Sequence, residues 1–110
     1  MPVTFDQGAE PGLIRLEGEV DISDAPELKR VLLEALAKKG EVRISAEAAT
    51  GIDITAVQLL WAAEQEAGRA DTILALQGTL PEMVRVSLRE AGFERLPLAA
   101  GTEPSSEVQL

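Results

Sequence analysis

The chain contains no cysteine, no histidine and no tyrosine, and aromatic residues make up only 3% of it. Without cysteine there is no disulfide framework, no thiolate metal site and no thiol nucleophile. Without histidine, a Ser-His-Asp arrangement and imidazole metal ligands are excluded. No Walker loop and no Gly-x-Gly-x-x-Gly follows any strand-like segment, which leaves nucleotide binding of those kinds unsupported. Neither a metal nor a cofactor is expected. Basic residues are also scarce: 10 Lys and Arg stand against 19 Asp and Glu, a net charge of −9. That balance disfavours nucleic acid, whose phosphates need clustered cations, and anionic lipid surfaces. A basic protein partner is accommodated more easily. Long apolar runs are missing as well: none approaches the roughly 18 residues needed to span a bilayer. The start, Met1-Pro-Val-Thr-Phe-Asp-Gln7, lacks the basic and apolar regions of a signal peptide. The expected location is cytoplasmic.

What is present is enough for one folded domain. A chain of 110 residues with 45% hydrophobic content can bury roughly two-thirds of the surface it exposes when unfolded. With so few aromatics, Leu, Val, Ile and Ala must fill that core. Residues 13–20 largely alternate apolar with polar, the period of a half-buried strand, and a strand at Val3–Phe5 can pair with it. The period then changes. Leu28, Val31, Leu32, Ala35 and Leu36 recur at helical spacing, with Asp24 and Glu27 forming a capping box and Gly40 a left-handed stop. Glu41–Ser45 reads as a short strand, and a helix follows over residues 55–67 with Ala56, Leu59, Leu60, Ala63 and Ala67 as its stripe. Ile73–Leu76 is apolar throughout, as expected of a strand covered on both faces. Thr79 and Glu82 form the capping box of a third helix, whose inward residues are Leu80, Val84, Leu88 and Ala91 and whose end is Gly92. Leu96–Leu98 reads as a last edge strand. The order predicts a single α/β domain over residues 1–99, with a mostly parallel sheet flanked by helices. Residues 100–110 read as a disordered tail.

The segment Gly51-Ile-Asp-Ile-Thr-Ala-Val-Gln-Leu-Leu60 places a carboxylate and a hydroxyl at a strand-to-helix junction. Thr55 with Gln58 has the spacing of a capping box; alternatively Asp53 is the cap, leaving Thr55 in the first turn with its hydroxyl partly exposed. A hydroxyl at a helix N-terminus is also where an added phosphate is best tolerated. Thr55 is therefore either a cap or a switch. Asp21 and Asp53 both fall at the carboxyl ends of strands, the edge where open α/β folds bind ligands. Capping is the simpler role for each, with a paired-carboxylate enzyme the remote alternative. Trp61, the sole tryptophan, is expected to pack under a neighbouring helix; the alternative is an exposed interface anchor.

Three segments carry a family resemblance. Gly18-Glu-Val-Asp-Ile-Ser-Asp-Ala-Pro-Glu-Leu28 resembles the opening of STAS domains, typified by bacterial anti-sigma-factor antagonists. Ile52-Asp-Ile-Thr-Ala-Val-Gln-Leu-Leu60 is similar to their I-D-S-S-G-L signature, its Val-Gln-Leu-Leu being similar to the form seen in chemotaxis-associated members. Leu76-Gln-Gly-Thr-Leu80 through Leu88-Arg-Glu-Ala-Gly-Phe93 resembles the family's third helix and following glycine. The resemblance covers residues 3–98. It implies a non-enzymatic module that binds a GHKL-type anti-sigma kinase or a sensor, with Thr55 on the phosphorylated position and Asp21 and Asp53 flanking it. The implied partner surface comprises Asp21, Ser23, Asp53, Ile54, Thr55 and Ala56, and a homodimer is compatible with it. Ile54, Ala56 and Ser45 depart from the family's usual residues. An unphosphorylated accessory subunit of a chemosensory or lipid-transport ABC complex is the alternative.

Overall fold

The computed structural model describes residues 3–38, 40–93 and 98. Strand β1 (Val3–Asp6) pairs antiparallel with β2 (Gly12–Val20), which pairs in parallel with β3 (Gly40–Ile52); β3 pairs in parallel with β4 (Thr72–Gln77). Helix α1 (Ala25–Leu36) follows a short 3-10 turn (Ile22–Asp24) and connects β2 to β3. Helix α2 (Ile54–Ala70) connects β3 to β4, and α3 (Glu82–Glu90) follows β4. The alternation of strand and helix thus yields the expected mostly parallel sheet, in spatial order β1-β2-β3-β4.

Period-2 burial fixes the register. Ile14 and Leu16 on β2, paired with Ile44 and Val3, are buried together with Val42, Ala46 and Leu74. Leu28, Val31, Leu32 and Ala35 of α1 and Ala56, Val57, Leu60, Ala63 and Ala67 of α2 complete the same core. The two helices pack against each other, while α3 contributes Val84 and Leu88 and lies against β3. Small residues at Ala35, Ala63 and Ala67 let α1 and α2 come near the sheet without aromatic filling. Among the described residues, Thr72 is the polar residue buried as a whole. Its hydroxyl donates to the carbonyl of Lys38 at 2.6 Å, which ties the start of β4 to the chain leaving α1 and satisfies the buried group.

Several expectations are corrected. β3 is far longer than Glu41–Ser45, running to Ile52 with two register irregularities against β2. Bulges of this kind bend a strand and raise its twist. One of them adjoins Gly18, whose φ of +68° a residue with a Cβ rarely adopts. The Asp24–Glu27 capping box is absent. It stands one turn earlier, where the Asp21 amide donates to Asp24 Oδ2 at 3.0 Å and Asp21 Oδ1 accepts the Ser23 amide at 3.0 Å. Glu27 pairs with Arg30 instead. Thr79 does not cap α3: the N-cap is Pro81, and the Thr79 amide donates to Glu47 Oε2 at 3.3 Å. Gly40 has a left-handed φ of +105° but opens β3 rather than ending α1, which stops at Leu36. Helix α2 continues to Ala70 and is closed by Asp71 in the left-handed region. Ile73 is exposed, so β4 is not covered on both faces along its length. The end of α3 forms as expected, with Gly92 donating to the Arg89 carbonyl and Phe93 to that of Leu88, the paired bonds of a Schellman motif. The expected strand at Leu96–Leu98 and the tail at 100–110 fall outside the described residues, apart from Leu98, which packs against the core.

Candidate functional site at the carboxyl edge of the sheet

Parallel pairing brings the two sequence-predicted carboxylates to one edge. Val20 and Ile52 are register partners at the ends of β2 and β3. Asp21 and Asp53 come next on adjacent chains, which lie about 4.8 Å apart in a sheet. The Asp53 amide donates to the Val20 carbonyl at 3.1 Å, extending the ladder one residue past the strands and locking the junction.

Asp53 is the N-cap of α2. Its backbone is extended, and its Oδ1 accepts the Ala56 amide at 3.0 Å, satisfying one of the first-turn donors that have no partner within the helix. The Thr55–Gln58 capping box is thereby excluded, because Thr55 lies inside the first turn and Asp53 occupies the cap. Thr55 is half-buried, and among the described residues its hydroxyl makes no hydrogen bond. Ala56 is buried against the core, whereas Ile54 is 47% exposed at the very start of the helix. Replacing a small polar residue at position 54 by isoleucine thus puts apolar surface in solvent beside Thr55.

Asp21 plays the equivalent part for the 3-10 turn. The Ser23 hydroxyl donates to Asp21 Oδ1 at 2.6 Å, adding to the bond from the Ser23 amide. These donors, the hydroxyl first, hold the Asp21 carboxyl below its ordinary value of 3.8. Both aspartates are thus engaged as caps, an arrangement suited to holding two helix starts in place. Among the described residues, no group of three or more His, Cys, Asp or Glu side chains is placed to hold a metal, and no helix is long and apolar enough to cross a membrane.

Beside the junction lies a cleft of about 390 Å³ between the start of α2 and the end of α3, lined by Glu19, Asp53, Ile54, Ser87 and Glu90 among others. Glu19, Ser87 and Glu90 were not legible as site residues, since only the topology brings the end of α3 to the β3–α2 junction. Gly51 forms part of the floor, and a Cβ there would lie 3.7 Å from Ser87 Oγ. Trp61 is 52% exposed. The expectation that it packs under a neighbouring helix is therefore corrected: the inward side of α2 is filled by Val57, Leu60 and Ala63, and the indole stands outside. Ser45, the third departure, sits on β3 and accepts the Glu47 amide at 3.4 Å.

No curated protein matches the sequence. Among solved structures, the anti-sigma factor antagonist SpoIIAA in its unphosphorylated form is similar, with a TM-score of 0.64 at 16% identity, covering 96% of this chain and 94% of that one. At that identity the likeness shows a shared fold. The family model described as "Mlab, STAS domain" matches residues 3–99. That match takes in the whole sheet, all three helices and the Asp53–Thr55 junction, and the chain belongs to this STAS family.

Proposed function

We propose that this chain is a non-enzymatic regulatory module that binds a protein partner, a GHKL-type anti-sigma kinase or a sensor, through the carboxyl edge of its sheet, and that phosphorylation of Thr55 switches the binding. The supporting observation is the division of labour at α2. Asp53 caps the helix through Ala56, so among the described residues the Thr55 hydroxyl has no structural bond to give up. A phosphate there adds about −1.5 to −2 charges. It would be drawn to the α2 N-terminus, where it competes with Asp53 for the first-turn amides, and it would be repelled by Asp21 and Asp53. An interface formed around a neutral hydroxyl and Ile54 would then be remodelled. Asp21, Ser23, Asp53, Ile54, Thr55 and Ala56 make up the proposed contact surface.

The test is to incubate the protein with a GHKL-type anti-sigma kinase and ATP, and to map phosphate by mass spectrometry. Phosphate on Thr55 with loss of the complex supports the switch. Phosphate absent from Thr55, together with unchanged binding by Thr55→Glu, contradicts it.

A second reading is an accessory subunit of a chemosensory or lipid-transport ABC complex in which Thr55 stays unmodified. Exposed Ile54 favours it, because an isoleucine beside the hydroxyl adds a permanent apolar contact. It predicts stable copurification with such a complex and full binding by Thr55→Ala.

A further inference from the structure

We infer that the outward stripe of α2, Ile54–Gln58–Trp61, and the acidic cleft beside Ile54 together seat a basic amphipathic helix of the protein partner. This deepens the protein-binding reading above and rests on it. Ile54 and Trp61 are seven residues apart, nearly two full turns, so they project from the same side of α2 about 10 Å apart. Both are about half exposed, and neither is needed for the core, which the opposite side of the helix already supplies. Ile22, 67% exposed on the turn that touches α2, adds a third apolar side chain. An apolar residue at each end of a two-turn stripe matches the spacing with which a helix presents its own anchors, and tryptophan is enriched among the residues that dominate interface energies.

Charge selects the occupant. Ile54 is one wall of the cleft that also holds Glu19, Asp53 and Glu90, and among the described residues no lysine or arginine lines it. The Ser87 hydroxyl, which lines the cleft, donates to the Met83 carbonyl at 3.1 Å. On α3 itself, Arg85 is paired with Glu82. The cleft is thus an anionic recess next to an apolar ridge, complementary to a segment that carries an Arg or Lys beside its apolar face. A second copy of this chain would bring Glu19 and Glu90 towards their own counterparts, and an anionic membrane would meet the same repulsion.

The test uses Trp61 as the reporter, since it is the sole tryptophan. Three peptides of about 15 residues, long enough for four helical turns, are titrated into the full chain: an amphipathic Leu/Arg peptide, its Leu/Glu counterpart, and an Arg/Ala peptide without an apolar face. The expected result is a blue shift of Trp61 emission with the Leu/Arg peptide alone, amide shifts in NMR confined to residues 54–61 and the cleft, and at least about tenfold weaker binding of the other two. Ile54→Asp and the Glu19→Gln/Glu90→Gln pair should each weaken the Leu/Arg peptide by about tenfold. The inference is overturned if the Leu/Glu peptide binds as well, if Ile54→Asp binds unchanged, or if the shifts scatter over the acidic surface, which would mark non-specific attraction. Loss of peptide binding with Thr55 still phosphorylated by the kinase would remove this inference and leave the switch standing. Peptide seating with no phosphate on Thr55 would do the reverse.

Discussion

The carboxylate of Asp53 accepts the Ala56 amide at 3.0 Å, and this one bond assigns the roles at the start of α2. With Asp53 as the cap, removing it should cost stability, while Thr55 should be nearly dispensable to the fold. Asp53→Ala is expected to lower stability by about 1 kcal/mol, a fall of roughly 4–8 °C in Tm for a domain of this size. Thr55→Ala should stay within about 0.5 kcal/mol of the parent. Thermal and urea unfolding of the two variants, side by side, checks the assignment. Equal losses would return Thr55 to a capping role.

Ser23 is expected to control the charge of Asp21. Its hydroxyl and amide hold the carboxyl below the ordinary value of 3.8. A carboxyl lowered in the folded state contributes stability above its unfolded value and loses that contribution as pH falls through the folded one. Ser23→Ala should therefore move the Asp21 titration back up towards 3.8, as read by NMR of the side-chain carboxyl. It should also narrow the difference between stability at neutral pH and at pH values below that range.

Glu64 has the opposite sign. One of its oxygens, Oε1, is buried with no hydrogen-bond partner among the described residues, and desolvation raises its carboxyl above 4.5. The folded state then holds its proton more tightly than the unfolded chain, so the ionised form is a burden that grows as pH rises through and above that value. Glu64→Gln is expected to raise Tm at neutral pH, with the gain vanishing below pH 4.5. A gain that is independent of pH would contradict the desolvation account.

Gly78, at the end of β4, combines a φ of +79° with a position that the Glu47 carboxylate overhangs. A methyl group there meets that carboxylate and forces an unfavourable backbone conformation. Gly78→Ala should cost about 1–3 kcal/mol. Adding Glu47→Ala should recover only the steric part, because the φ strain remains. Denaturant unfolding of the single and double variants separates the two contributions.

The parts of this fold that were legible in the sequence are those written in local periodicity. The stripe Leu28, Val31, Leu32, Ala35 located α1, and the alternation over residues 13–20 located β2, because each face must be apolar in its own period. Caps were less legible. Asp21 and Asp24, and Asp24 and Glu27, have the same spacing, and only the intervening 3-10 turn decides between them. Thr79 was drawn away by Glu47, a partner 32 residues distant that no local pattern reveals. The second half of β3, Ala46-Glu-Ala-Ala-Thr50, has helix-forming composition and is held extended by its neighbours in the sheet. At the site, Asp53 and Thr55 stood out because cap chemistry is local. The cleft of Glu19 and Glu90 did not, because tertiary packing alone assembles it. Trp61 was misplaced since the apolar stripe of α2 is broad, and periodicity cannot say which margin of it meets solvent.

The proposed function makes the start of α2 a protein-binding surface controlled by charge at Thr55. This is measured most directly by calorimetric titration of a GHKL-type anti-sigma kinase into the parent chain, Thr55→Ala and Thr55→Glu. The account predicts that Thr55→Ala binds like the parent and that Thr55→Glu binds at least about tenfold more weakly, a difference of roughly 1.4 kcal/mol. Equal affinity for all three, with the Thr55→Glu variant folded, would contradict it.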